Sequence, residues 1–169
     1  MCGGFLLGVY SFTMFGSLNE RQMEEVLQSQ YYGHLACSSE GEIYLVPITY
    51  VYDGGTIVSY THEGKKIDML RKKAVLCVQV ERFTGTHEWQ SVICWGDFEE
   101  ISDAGEKQEA ALRIADKFAE ARKNGKTLYS PLFADISSIE GKAVPLPVIY
   151  RIRVLKKTGR YEKDDGKRV

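Results

Sequence analysis

The chain has 169 residues, 44% apolar and 27% charged, with a formal net charge of −1. Such a length and composition suit one soluble globular domain with a buried core. The near-neutral balance, with no clustered and aromatic-interleaved basic face, argues against a nucleic-acid partner and against charge-driven membrane binding.

Residues 1–17 are apolar, yet too short and glycine-broken to span a bilayer. They also lack the basic n-region and small-residue cleavage site of a signal peptide. With Met14 just ahead of the first well-formed element, the stretch reads as an extension from an alternative start, as an extra strand, or as an apolar arm on a partner subunit. The domain proper is expected over 18–163, with a charged tail at 164–169. Asn19 is a good N-cap, Gln22 completes a capping box, and Leu18 is placed to staple against Met23. Met23, Val26, Leu27 and Tyr31 then line one helix face.

A strand around Gly33–Ser38 and a turn at Ser39-Glu40-Gly41 follow. The stretch Val46 to Arg71, VPITYVYDGGTIVSYTHEGKKIDMLR, organises the rest. Val46 to Tyr52 and Thr56 to Thr61 are rich in β-branched and aromatic residues, and Asp53-Gly54-Gly55 supplies a hairpin turn between them. After Thr61 the period changes to that of a short helix, with Ile67, Leu70 and Met69 on its apolar side. Ala74–Val80 has the continuous apolar pattern of a buried strand, Arg82–Glu88 reads as a polar loop, and Trp89–Ile101 returns to strand with Gly96 marking a bulge. Ala104–Asn124 is the longest helix, with a stripe of Ala111, Leu112, Ala115, Phe118 and Ala119 and a stop at Asn124-Gly125. Tyr129–Leu146 is irregular. Pro147–Leu155 alternates as a last strand, and the charged residues from Lys156 read as a frayed tail. About six strands with two or three helices predict a mainly β fold, a small closed or half-closed antiparallel barrel.

The chemistry concentrates at the junction after Thr61. A helix start with unpaired N–H groups, Gly64 for close backbone approach, and the charges of Lys65 and Lys66 together make a phosphate seat. An ordinary exposed basic turn is the competing reading of these residues. Cys2, Cys37, Cys77 and Cys94 show no C-x-x-C pair and no zinc spacing. Three of them lie in apolar runs, as buried free thiols do, which predicts a reducing, cytoplasmic setting. No metal motif and no nucleophile–base pair is legible, so catalytic residues stay unassigned.

The order helix–GHLACSS–turn–VPITYVYDGG–TIVSYTHEGKKIDMLRKK–AVLCVQVE–WQSVICWGDFEEI, closed by VIYRIRVLKKTGRYEK, resembles the pyridoxamine 5′-phosphate oxidase-like family. The nitroimidazole-resistance type of FMN-binding split barrel is the most similar branch, over roughly residues 18–163. The resemblance implies a six-stranded antiparallel Greek-key split barrel that forms a homodimer, with FMN bound at the subunit interface. It implies that Thr61, Lys65 and Lys66, with Gly64 and the neighbouring Tyr60, surround the FMN phosphate. It further implies that Val46, Pro47, Ile48 and Thr49 read the flavin ring through main-chain groups. Ser91 and Trp95 fall on the strand that approaches the flavin in this family; Trp95 reads equally as a ring cover, an interface plug or a core aromatic. Pro47, lacking an N–H, marks either a ligand edge or an edge strand.

One departure matters: the branch often carries a histidine where this chain has Ser59, and His62 is three residues out of register. A role tied to that histidine is therefore not carried over. His34 and His87 read as structural or exposed. The implied activity is an FMN-dependent oxidoreductase taking electrons from a reduced nicotinamide to a small electrophile, a nitro compound or quinone. A flavin- or haem-binding carrier or stress protein without turnover, a deazaflavin binder, and a barrel that has lost its cofactor are the alternatives. Oxidation of pyridoxamine phosphate is another, weakened because Arg151, Arg153 and Arg160 are only loosely placed to hold a substrate phosphate.

Overall fold

The computed structural model describes residues 13–123 and 147–164. In chain order they form β1 (Thr13–Ser17), α1 (Glu20–Ser29), β2 (Tyr32–Ser39), β3 (Glu42–Asp53), β4 (Thr56–Thr61), α2 (Lys65–Arg71), β5 (Val75–Gly85), β6 (Glu88–Glu100), α3 (Ala104–Lys123) and β7 (Val148–Asp164). Every strand pairing is antiparallel. The sheet runs β7-β4-β3-β2-β5-β6 and returns to β7, so six strands close a ring. The step from β4 through α2 to β5, which lies beside β2 rather than β4, makes the topology Greek-key. The expected six-stranded split barrel is therefore present. A seventh strand, β1, joins the far end of β7, so the described part of the apolar extension is a strand.

Local chemistry explains most of these elements. The Asn19 side chain accepts from the Gln22 N–H at 2.9 Å while the Gln22 side chain accepts from the Asn19 N–H at 2.9 Å, a reciprocal capping box. Leu18 and Met23 are both buried in the main core, as the predicted staple requires. Inward residues alternate along each strand: Leu35 and Cys37, Tyr50 and Tyr52, Ile57 and Ser59, Val78 and Val80, Val92 and Cys94, Tyr150 and Ile152. Tyr50 and Tyr52 reach α1, donating to the Leu27 carbonyl at 3.0 Å and to Glu24 Oε1 at 2.8 Å. The β6–β7 register shifts between Trp95 and Gly96, the predicted bulge. A Cβ on Gly96 would lie 2.2 Å from the Arg153 carbonyl oxygen, so only glycine lets the strands meet there.

Three expectations are corrected. The Arg82–Glu88 segment is not a loop: β5 continues to Gly85 and β6 starts at Glu88. Polar cross-strand contacts sustain it, among them Arg82 to Gln90 and Thr84 Oγ1 to the Glu88 carbonyl at 2.9 Å. Residues 156–164 do not fray, since β7 extends to Asp164 between β6 and β1. Their side chains are partnered across elements, Lys157 by Glu20 and Glu24, and Glu162 by the Trp89 indole N–H at 2.7 Å. The buried stripe of α3 is Ala110, Ile114, Phe118 and Ala121, which shares Phe118 with the predicted one but is otherwise rotated from it, and Leu112 is exposed. Ala110, Ile114 and Phe118, spaced four apart, pack on Val58, Ile101 and Ile149 outside β4 and β7, with Ala111 partly buried against them.

Cys37, Cys77 and Cys94 are free, and burial pushes their thiols up, Cys94 to about 12. No described helix is long and apolar enough to cross a membrane. The Asn124-Gly125 stop, the Tyr129–Leu146 segment and Cys2 lie outside the described residues.

Candidate functional site

The turn from β4 into α2 is pinned by Arg71. Its guanidinium holds both Glu63 oxygens at 2.8 Å and reaches Glu100 at 2.9 and 3.1 Å. Ile67, Met69 and Leu70 bury the inner side of α2 in the barrel core. Gly64, which caps the helix, has φ 154°, and no atom lies within 4 Å of where its Cβ would stand. The position needs glycine for its conformation, and it leaves open room for a ligand. At seven residues α2 is too short for its dipole to define an anion site, so the charge must come from side chains.

The two lysines sit in different surroundings. Lys65 is exposed, ion-paired with Glu42, and 5.2 Å from the centre of the Tyr44 ring. Lys66 is half-buried, with its ammonium 5.7 Å from the Tyr150 ring centre. Among the described residues no carboxylate pairs with it. Burial pushes the Lys66 ammonium down from its ordinary value, with Cys37 opposing weakly. A partly desolvated cation without a counter-ion is costly, and it is the feature an anionic ligand would relieve.

Below it, the Tyr150 hydroxyl is buried and makes no aligned hydrogen bond. Burial pushes it up to about 12 despite the neighbouring Ser59. Ser59 donates its own proton to the Thr49 carbonyl at 2.8 Å, so that proton is not free for Tyr150. This contact lies where β3 and β4 part, just beyond their last paired residues, Tyr50 and Ser59. Residues 42–49 of β3 pair only with β2, and no described strand covers their other edge. Val46, Pro47, Ile48 and Thr49 therefore lie on a bare strand edge, which accounts for the exposed Pro47.

The remaining predicted residues lie elsewhere. Thr61 ends β4 opposite Val148, beside the lysines in sequence. Tyr60 instead faces α3, its ring edge-on to Phe118 at 6.3 Å. Ser91 and Trp95 lie on the outer wall of the barrel, where Ser91 accepts from Gln79 at 3.2 Å and the Lys156 ammonium is 5.4 Å from the Trp95 ring centre. Trp95 is thus not a core aromatic. One row of that wall runs Leu45, Ala36, Cys77, Trp95, and Leu45, Ile43 and Val75 are 62, 77 and 75% exposed. A single chain does not bring Ser91 and Trp95 to the lysines. Sequence reasoning missed Glu42, Tyr44 and Tyr150, which approach the lysines through strand pairing and carry no local signal.

Other cavities lie away from this edge. One of about 470 Å³ includes Met14, Arg82, Tyr161 and Lys163. Another, about 360 Å³, holds Arg113, Arg151 and Arg153, whose charges are already matched by Asp53, Glu99 and Glu106. Arg151 and Arg153 hold the Glu99 carboxyl down to about 2. No described cluster of His, Cys, Asp and Glu could hold a metal. His34 packs edge-on to Tyr32 at 5.4 Å, and His87 meets Glu162 at 3.0 Å.

Known proteins resemble this chain in sequence or fold. An uncharacterised protein of Rhizobium meliloti (strain 1021) is 27% identical over 84 residues, 50% of this chain and 56% of that protein. The chain thus spans little more than half the length of the curated relative it matches. A FAD-binding protein from Mesorhizobium loti is 25% identical with a TM-score of 0.67, covering 88% of this chain and 98% of that one. A candidate 5-nitroimidazole antibiotic resistance protein from Bacteroides thetaiotaomicron shares the fold at 20% identity and a TM-score of 0.65, over 98% of this chain and 100% of that one. The family model described as pyridoxamine 5′-phosphate oxidase matches residues 19–144, most of the barrel, and the chain belongs to that family.

Proposed function

We propose that the protein is an FMN-binding oxidoreductase, working as a homodimer, that passes electrons from a reduced nicotinamide to a small electrophile such as a nitro compound or quinone. The observation that carries the reading is Lys66, a half-buried ammonium with no carboxylate partner among the described residues, beside the open turn at Gly64. Lys66 would hold the phosphate, with Gly64 leaving room and the Thr61 hydroxyl near by. The bare edge of Val46, Pro47, Ile48 and Thr49 would meet the polar rim of the flavin ring. The Mesorhizobium loti relative is named for FAD. One uncompensated cation suits a single phosphate better than a diphosphate, which favours FMN here.

The outer wall supports the dimer. α3 covers the barrel over β4 and β7, while Ile43, Leu45 and Val75, with the half-exposed Trp95, leave the other side apolar and not covered by any described element. A second copy on that wall would bury it and bring Ser91 and Trp95 to a shared site. The bound flavin supplies the electron-transfer chemistry, and the chain holds its phosphate, presents the strand edge and limits water. Free, mostly buried thiols support a reducing compartment. The test is anaerobic mixing of FMN-loaded protein with reduced nicotinamide, followed by nitroarene or quinone. Bleaching and reoxidation of the flavin band support an oxidoreductase; a band that never bleaches with any donor rejects turnover.

A further inference from the structure

The inequality of the two lysines traces to Glu42. This residue opens β3 opposite Ser39, and its carboxylate takes the Lys65 ammonium. Tyr44, two residues along on the same side of the strand, places its ring beneath the same ammonium. The hydrogen bond to Glu42 raises the Lys65 pKa against the opposing effect of burial, so Lys65 is charged with its charge already spent. Side-chain exposures of 50% for Lys65 and 56% for Glu42 mean that water screens the pair and that it can change partners at little cost. A phosphate arriving at Lys66 meets, among the described residues, one free cation and, beside it, a neutral pair whose carboxylate repels it.

We infer that Glu42 is a built-in competitor of the cofactor phosphate for Lys65, holding flavin affinity below what two free lysines would give; this rests on the flavin reading above. Lys65 either stays with Glu42 and contributes nothing to the dianion, or transfers and leaves Glu42 unpaired. Removing the carboxylate strengthens binding in both cases. The chain thus holds its phosphate seat one charge short, and the turn between β2 and β3 sets affinity without touching the ring.

The test is titration of apoprotein with FMN and with riboflavin, which lacks the phosphate, for wild type, Glu42→Gln, Lys65→Ala and the double variant. Glu42→Gln is expected to bind FMN about 3- to 10-fold more tightly at low salt, an effect that shrinks as salt is raised. Lys65→Ala is expected to lose a similar factor, and the double variant to return within about twofold of wild type, since it restores charge balance. Riboflavin affinity should be the same throughout. Unchanged or weaker FMN binding by Glu42→Gln, or a double variant as weak as Lys65→Ala alone, overturns the competition. Wild type that takes up neither FMN nor riboflavin overturns the flavin reading itself, a different failure.

Discussion

Replacing Lys66 by Met separates a ligand-holding lysine from a structural one, because the two roles predict opposite signs. Met keeps an unbranched stem of similar length and removes only the charge. A charge-assisted hydrogen bond to a phosphate contributes about 1.5–3 kcal/mol, and partial burial places Lys66 in the upper part of that range. A loss of about 2–3 kcal/mol weakens FMN binding by about 30- to 150-fold. Apoprotein stability should move the other way. Burial lowers the Lys66 pKa, so between that folded value and 10.5 the unfolded chain binds more protons, and wild-type stability rises with pH across that window. Lys66→Met lacks this rise, and below the window its apoprotein should match or exceed wild type, with Tm higher by up to about 4 °C. Flavin fluorescence quenching measures the first quantity, and thermal unfolding of apoprotein from pH 7 to 10 the second. A variant less stable than wild type with unchanged FMN affinity would refute the reasoning and make Lys66 a packing residue.

Three further outcomes follow from the same geometry. Leu45→Asp, at the exposed end of the apolar row on the outer wall, should turn a particle of twice the 19.1 kDa chain mass into a folded monomer by light scattering; a wild-type monomer at micromolar concentration contradicts the shared site. Gly96→Ala should cost about 3 kcal/mol or more in urea unfolding, because its Cβ meets the Arg153 carbonyl oxygen at 2.2 Å; a loss under about 1 kcal/mol would mean that the bulge yields. Burial pushes the Glu24 carboxyl up, but its bonds to Lys157 and Tyr52 prevail and lower it below 4.5. Its stabilising effect is therefore present above the unfolded pKa and lost as pH falls through the folded one. Glu24→Gln should be less stable than wild type at pH 7 and indistinguishable near pH 2, and a constant gap across that range would show that the charge is irrelevant.

The legible parts of the fold were those with local causes. The capping box at Asn19, the Asp53-Gly54-Gly55 turn, the Gly96 bulge and the Gly64 helix start each depend on a few adjacent residues. The errors had different causes. Residues 156–164 look like a solvated tail because their partners, such as Glu24 for Lys157, sit far along the chain, whereas Arg82–Glu88 continues a hairpin through polar cross-strand pairs such as Arg82–Gln90 that read as loop. The α3 stripe was legible only at Phe118, because alanine is weakly informative about facing; Ile114 is buried in place of the expected Leu112. At the candidate site the lysines and their glycine were legible as chemistry. Their inequality was not, because Glu42 and Tyr44 approach Lys65 only once β3 and α2 are placed together.

The most direct measurement is the absorption spectrum of the purified protein before and after denaturation, with FMN added if it emerges colourless. The account predicts a two-banded yellow spectrum, release of FMN on unfolding, and about one flavin per chain. A single sharp Soret band would contradict it in favour of haem, and a colourless protein that takes up neither FMN nor FAD would remove the flavin altogether.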